Sequence, residues 1–144
     1  MPTPRYATEA AHIPGVGEIV VGWRVETGDD ASDVDNAEIF LTNSSPLGYA
    51  GSWCEIVPTL GSRSSPSAEL LNGKAYVASA LNSLVMLSIF TQGSPQWTQV
   101  INTSFIKYSM ISFEGSLLFA NGHWIYSLNC LYETKYNTRN DHCS

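Results

Sequence analysis

Short apolar runs separated by turn residues recur along the whole chain. The runs have the length of β-strands and are rich in β-branched and aromatic residues, as in Ile19-Val20-Val21 and residues 83–90. No stretch keeps an apolar face at helical spacing over three turns. Residues 5–13 fit either a strand or a two-turn helix that Pro14-Gly15 would end. The pattern predicts an all-β protein.

Glycine-led strands indicate an internal repeat. The segments that begin at Gly17, Gly73 and Gly115 superpose without gaps as a glycine, one polar residue and then three apolar residues. Asn72-Gly73 predicts a hairpin turn with positive φ at both central residues. The repeat therefore predicts that each unit contains a hairpin built from its first two strands.

Two tryptophans give the repeat its period. Trp53 and Trp97 each begin a strand, and a basic residue follows each of them ten positions later, at Arg63 and Lys107. A period near 44 residues with four strands per unit is typical of a β-propeller blade. We expect Trp53 and Trp97 to have a structural role in packing between blades. Gly17, Gly73 and Gly115 are also expected to be structural.

The repeat predicts about three four-stranded antiparallel blades, which form an incomplete ring over residues 3–130. The blades span about 3–58, 59–102 and 103–130, and residues 131–144 read as a polar C-terminal tail without a clear strand.

The order of these parts resembles the kelch repeat. A basic residue and a strand are followed by glycine and a second strand, and then by a strand ending in an aromatic residue and a Trp-led strand. The residues that carry the resemblance are Arg63-Ser64, Ser67-Ala68, residues 72–77, Trp97 and Val100, with Arg5, residues 17–22, residues 38–40 and Trp53 in the first unit. Kelch units usually have a Gly-Gly pair after the second strand, of which only Gly22 is present.

The resemblance implies a protein-interaction module and no enzyme. By this resemblance, Arg5, Arg63, Ser64, Lys107 and Tyr108 would contact a protein partner through rim loops, and the bound element would be an acidic peptide segment. Guanidinium groups hold carboxylates bidentately, which suits that role. The partner class would be a substrate of a cullin-linked ubiquitin ligase. The alternative is actin or another cytoskeletal partner, and a propeller-scaffold enzyme such as a kelch-type oxidase is less favoured.

Three blades cannot close a ring, since propellers typically close with about 4 to 8 blades. An open stack would leave apolar sheet faces in water. Three outcomes stay open: a fragment of a longer propeller, self-association into a closed ring, or a marginal open domain.

Composition narrows the partner classes. The 144 residues carry a formal charge of −6, which argues against nucleic acid or a membrane as the main partner. No signal-peptide pattern is present at the N-terminus, and the three cysteines have no disulfide-like spacing. A cytoplasmic location is therefore expected.

The sequence supports neither a cofactor nor a metal site. The acidic segment 26–35 offers oxygen ligands but lacks the EF-hand order, and we interpret it as a solvated loop. The histidines and cysteines have no zinc-like spacing. No catalytic constellation is evident, so the predicted set of catalytic residues is empty.

Overall fold

A computed structural model describes residues 5–27, 30–33, 36–60, 66–79, 83–88, 96–102, 109–121, 124–129 and 132–137. Every regular element in these ranges is a β-strand, so the all-β prediction is confirmed. The strands are β1 (Tyr6–Ile13), β2 (Gly17–Thr27), β3 (Asp30–Asp33), β4 (Ala37–Leu41), β5 (Trp53–Ile56), β6 (Ser67–Leu71), β7 (Lys74–Ser79), β8 (Ser83–Ser88), β9 (Gln96–Asn102), β10 (Ser109–Phe113), β11 (Ser116–Asn121), β12 (Trp124–Asn129) and β13 (Tyr132–Asn137). None of the described segments forms a helix that could span a membrane.

The strands form three antiparallel sheets of consecutive strands. Sheet 1 has the order β1-β2-β4-β5, with β3 paired to β2 outside this path. Sheet 2 is β6-β7-β8-β9 and sheet 3 is β10-β11-β12-β13. Each sheet is therefore assembled from strands that are neighbours in sequence.

Two segments that the sequence predicts to be irregular contain strands. β2 continues to Thr27 and pairs with β3, so the acidic segment is in part a hairpin arm and the loop prediction is wrong there. β13 pairs with β12 along its whole length, within the range predicted to be a tail. Backbone pairing does not need apolar side chains, and edge strands are often polar, which explains why hydrophobic patterning misses both.

The structure contains two tight hairpin turns with positive φ at both central residues. Asn72 and Gly73 have φ of 50° and 72°, which confirms the predicted turn with two positive φ values. Glu114 and Gly115 have φ of 45° and 74° at the corresponding turn of sheet 3. Positive φ is rare outside glycine, so these two-residue turns fix where each hairpin folds back.

The structure shifts the predicted repeat alignment by one residue. Gly17 is the first ladder residue of β2, whereas Gly73 and Gly115 lie in the turns before Lys74 and Ser116, which begin β7 and β11. Gly17 thus corresponds to Lys74 and Ser116. Because side chains alternate along a strand, this shift exchanges the two faces of sheet 1 relative to the other sheets.

This register assigns each side chain to one of two faces. We call a face forward if it corresponds to the side of sheet 1 that packs on sheet 2, and rear if it corresponds to the opposite side. In their first two strands, the forward faces include Ala11, Ile13, Ile19 and Val21 in sheet 1, Glu69, Leu71, Tyr76 and Ala78 in sheet 2, and Ile111, Phe113, Leu118 and Ala120 in sheet 3. The rear faces include Ala10, His12, Glu18 and Val20 in sheet 1, Ala68, Leu70, Ala75 and Val77 in sheet 2, and Met110, Ser112, Leu117 and Phe119 in sheet 3.

The core lies between the sheets. One buried cluster joins Ile13 and Ile19 on the forward face of sheet 1 to Val77 and Trp97 on the rear face of sheet 2. A second cluster joins the forward face of sheet 2 to Leu117, on the rear face of sheet 3. The same forward-to-rear packing therefore occurs twice, and sheet 2 is covered on both sides.

Candidate functional site

Arg5, predicted to contact a partner, is buried inside the protein. The side chains of Arg5 and Glu38 are 0% and 1% exposed, and Nη2 of Arg5 lies 3.2 Å from Oε2 of Glu38. The guanidinium also donates hydrogen bonds to the backbone oxygen and to Oδ1 of Asn36, at 3.0 and 3.1 Å. The predicted partner contact is therefore wrong for Arg5. Glu38 occupies a buried strand position, and a carboxylate there needs a charged, hydrogen-bonding partner.

The other predicted contact residues, Arg63, Ser64, Lys107 and Tyr108, lie outside the described residues. The strands that follow them in the chain, β6 and β10, are described and contact each other.

Two hydrogen bonds show how β6 and β10 run. The Met110 backbone N–H donates to Ser67 Oγ at 3.2 Å, and Ser112 Oγ donates to Glu69 Oε1 at 3.0 Å. A step of two residues along β6 thus matches a step of two residues along β10. The two strands run in the same direction, and both begin at the same end of the molecule.

Trp97 lies between sheets 1 and 2. It is 8% exposed, and its Nε1–H donates to the backbone oxygen of Val57 at 2.8 Å, just after the last strand of sheet 1. The interaction combines a large buried ring with a satisfied indole N–H. Trp97 therefore connects the outer strands of the two sheets.

Trp53 occupies the corresponding position in sheet 1. The ladders pair Phe40 with Trp53 and Leu87 with Trp97, at equivalent places on the two rear faces. The rings of Trp53 and Phe40 are tilted, with centroids 5.2 Å apart. Trp53 is only half-buried, and its Nε1–H has no acceptor among the described residues.

The three predicted structural glycines serve two different purposes. Gly73 and Gly115 provide the left-handed backbone of the two-residue turns. At Gly17, a Cβ atom would lie 1.9 Å from the backbone oxygen of Phe40, so this position requires glycine because the two strands approach closely.

An open cleft of about 340 Å³ lies where the first strands of the three sheets meet. Its wall includes His12 from β1, Glu69 and Leu70 from β6, and Ser112 from β10. Glu69 Oε1 accepts hydrogen bonds from Ser112 Oγ and from the Leu70 backbone N–H, at 3.0 and 3.3 Å. The cleft thus presents a carboxylate that is already hydrogen-bonded, next to small aliphatic side chains.

His12, in the same wall, makes its polar contact with Glu18 of β2. Its Nδ1 lies 2.5 Å from Oε1 of Glu18, and the two side chains are 56% and 42% exposed. A pair this exposed is screened by water and salt. We therefore treat it as a surface interaction of sheet 1.

The described residues hold no group of three or more His, Cys, Asp or Glu side chains that could bind a metal ion. Cys54 is a free thiol, and its Sγ lies 3.0 Å from the backbone oxygen of Leu47. Cys130 and Cys143 lie outside the described residues.

Sequence reasoning missed the pairing of Arg5 with Glu38 and of Glu69 with Ser112. A usable signal existed for Glu38, since the alternation of A-E-I-F-L places a carboxylate within a short apolar strand. The contact between Glu69 and Ser112 spans 43 residues and depends on how two sheets dock, which no local pattern encodes.

The chain matches no known protein-family model, and a search of curated proteins finds no match.

Proposed function

We propose that the chain is a kelch-like β-propeller portion that binds a protein partner at the end of its sheets where β6 and β10 begin. The bound element is an acidic peptide segment, and Arg63 and Lys107 are its charged contacts. Substrates of a cullin-linked ubiquitin ligase are the partner class that the kelch resemblance implies.

The observation that carries this proposal is the parallel, adjacent arrangement of β6 and β10. Their starts lie at one end, as the hydrogen bonds from Met110 to Ser67 and from Ser112 to Glu69 indicate. Arg63 precedes the first residue of β6 by four positions, and Lys107 precedes the first residue of β10 by two. A basic residue therefore precedes, in the sequence, each of two neighbouring strands that begin at the same end.

The stacking of the sheets supports the propeller part of the proposal. In a β-propeller, four-stranded antiparallel sheets surround a central axis. Here β1 contacts β6 and β6 contacts β10, so the sheets meet through their first strands as well as through their faces. The loops at one end of such a stack form a common surface, and binding residues are often carried on loops of this kind.

The chemistry of the two basic residues selects an acidic ligand. The protein has a formal charge of −6, so general electrostatics repel acidic peptides. Binding of such a peptide therefore needs specific local contacts, which charge-assisted hydrogen bonds from a guanidinium or ammonium group provide.

The test is a binding titration with a panel of fluorescent Asp- and Glu-rich peptides and their Asn- and Gln-containing counterparts. We expect Arg63→Glu to weaken binding of the acidic peptides by at least about tenfold, because a charge-assisted hydrogen bond is lost and a repulsion is added. Binding should also weaken as salt is raised.

Lys74→Glu is the matched control. It changes the charge by the same amount, but Lys74 begins β7 after the Asn72-Gly73 turn, at the opposite end of β6 from Ser67. The affinity of this variant for the acidic peptides should stay within about twofold of that of the unaltered chain. An equal loss for both variants would mean that net charge alone governs binding, and the absence of peptide binding by the unaltered chain would reject the proposal.

A further inference from the structure

The forward face of sheet 3 is apolar and exposed. Ile111, Phe113 and Ile125 are 58%, 56% and 37% exposed. With Leu118 and Ala120, Ile111 and Ile125 line an open groove of about 240 Å³. A monomer rarely exposes a continuous apolar patch of this kind without a partner for it.

The same face is covered in the other two sheets. Ala11 in sheet 1 occupies the position of Ile111 and is 6% exposed, and Leu71 in sheet 2 occupies the position of Phe113 and is also 6% exposed. In both cases the rear face of the next sheet covers them. The type of surface that covers a forward face in this molecule is therefore known: it is the rear face of a similar sheet.

The rear face of sheet 1 is the corresponding surface, and no sheet of the described residues packs against it. Ala10 is exposed there, whereas its counterpart Ala68 in sheet 2 is 9% exposed beneath sheet 1. Trp53 is likewise half-buried with a free Nε1–H among the described residues, whereas its counterpart Trp97 donates to Val57 of the preceding sheet. One chain thus carries both sets of strand positions that its two internal forward-to-rear interfaces use, with His12 and Glu18 on the rear face of sheet 1 where sheet 2 has Leu70 and Ala75.

We propose that a second copy of this chain covers these faces. The forward face of sheet 3 in each copy packs on the rear face of sheet 1 in the other, so the interfaces within and between copies use the same strand positions. Two copies supply six sheets, which is within the range of about 4 to 8 at which propellers close. Contacts between two different surfaces either close into a ring or extend into filaments, and this proposal specifies the closed pair. It rests on the propeller part of the proposed function and does not depend on peptide binding.

The experiment is sedimentation velocity over about a hundredfold range of protein concentration, since mass action separates one copy from two. We expect the mass to rise with concentration from 15.7 kDa to twice that value and to stop there.

Two variants place a charge in the interface without disturbing the single chain. Ile111→Asp lies on the forward face of sheet 3 and Ala10→Asp on the rear face of sheet 1, and both side chains are exposed in one copy. Each variant should weaken self-association at least about tenfold, because the proposed pair would bury the new carboxylate. Tyr49→Asp is the control: Tyr49 is 83% exposed in the connection between β4 and β5, and its self-association should be unchanged.

Mixing the two variants tests the direction of the contact. A mixed pair gathers both carboxylates in one interface, which can open, and keeps the other interface unaltered. Every interface in a pair of identical variants contains one carboxylate, so the mixture should associate more strongly than either variant alone. A pair formed by two sheet 3 faces would instead be insensitive to Ala10→Asp and would overturn the proposal. A mass that stays at one copy, or that grows beyond two, would also overturn it.

Discussion

The rear faces of sheets 1 and 2 have the same register but different surroundings. On sheet 2 the face is covered by sheet 1, and Trp97 is buried and hydrogen-bonded. On sheet 1 no described residues form a preceding sheet, and Trp53 is half-buried. His12 and Glu18 form an exposed pair where sheet 2 has Leu70 and Ala75.

The two rear faces carry different side chains, although their strands pair in the same way. The ladders put Glu38 opposite Val20 in sheet 1 and Val85 opposite Val77 in sheet 2, so a carboxylate occupies a position that is aliphatic in the covered sheet. Arg5 neutralises that carboxylate from within the same sheet. The repeat therefore fixes positions, while the neighbour of each face determines which side chains those positions can hold.

Replacement of each tryptophan in turn should reveal the largest difference in stability between the two rear faces. Trp97→Ala should lower the free energy of unfolding by about 3–5 kcal/mol, because it removes a buried aromatic ring and leaves a cavity between two sheets. Trp53→Ala should cost only about 1 kcal/mol, since its ring is half-exposed already. Urea denaturation followed by circular dichroism measures both values, at concentrations below self-association. Equal losses would mean that the two rear faces are equally covered.

Replacement of the buried carboxylate should have the next largest effect. Glu38→Val introduces the residue type that sheet 2 has at the equivalent position, Val85. It leaves the Arg5 guanidinium buried without its counterion, so we expect the free energy of unfolding to fall by about 3 kcal/mol. The double variant with Arg5→Met should recover most of this loss, because no buried charge remains. Thermal and urea denaturation would show the recovery.

Glu55→Val is the matched control for this series. Glu55 lies directly across the ladder from Glu38 but is exposed. The free energy of unfolding should change by less than about 0.5 kcal/mol. A loss at Glu55 as large as that at Glu38 would contradict the special role of the buried pair.

The smallest effect is expected at the exposed pair. His12→Leu together with Glu18→Ala gives sheet 1 the residues of sheet 2 at these positions. The free energy of unfolding should change by no more than about 0.5 kcal/mol, since exposed ion pairs contribute little. A loss of 2 kcal/mol or more would show that this pair is part of the folded core.

Local signals in the sequence were sufficient for the apolar strands and for the Asn72-Gly73 turn. Asn72-Gly73 specified a hairpin because few residues adopt positive φ, and the matching spacing of Trp53 and Trp97 corresponds to equivalent ladder positions. The alignment of Gly17 with Gly73 was off by one residue because β1 and β2 are joined by three residues, whereas β6 and β7 are joined by two. Loop length cannot be read from a glycine alone.

The rest of the site depends on contacts between distant segments. Arg5 looked like an accessible basic residue, and only the fold reveals Glu38 next to it. β3 and β13 are polar strands held by backbone pairing, which leaves little trace in hydrophobic patterning. The uncovered forward face of sheet 3 became visible only once the register had assigned its side chains to one side.

The assembly of each sheet from strands that are close in the sequence has a kinetic consequence. Each hairpin joins segments that are close in sequence, so its loop closes with a small loss of chain entropy. Docking of the sheets joins residues 40 to 43 positions apart, as in the contacts of Trp97 with Val57 and of Ser67 with Met110. Formation of long-range contacts is usually the slow part of folding. Folding should thus begin with separate sheets and reach its rate limit when they meet.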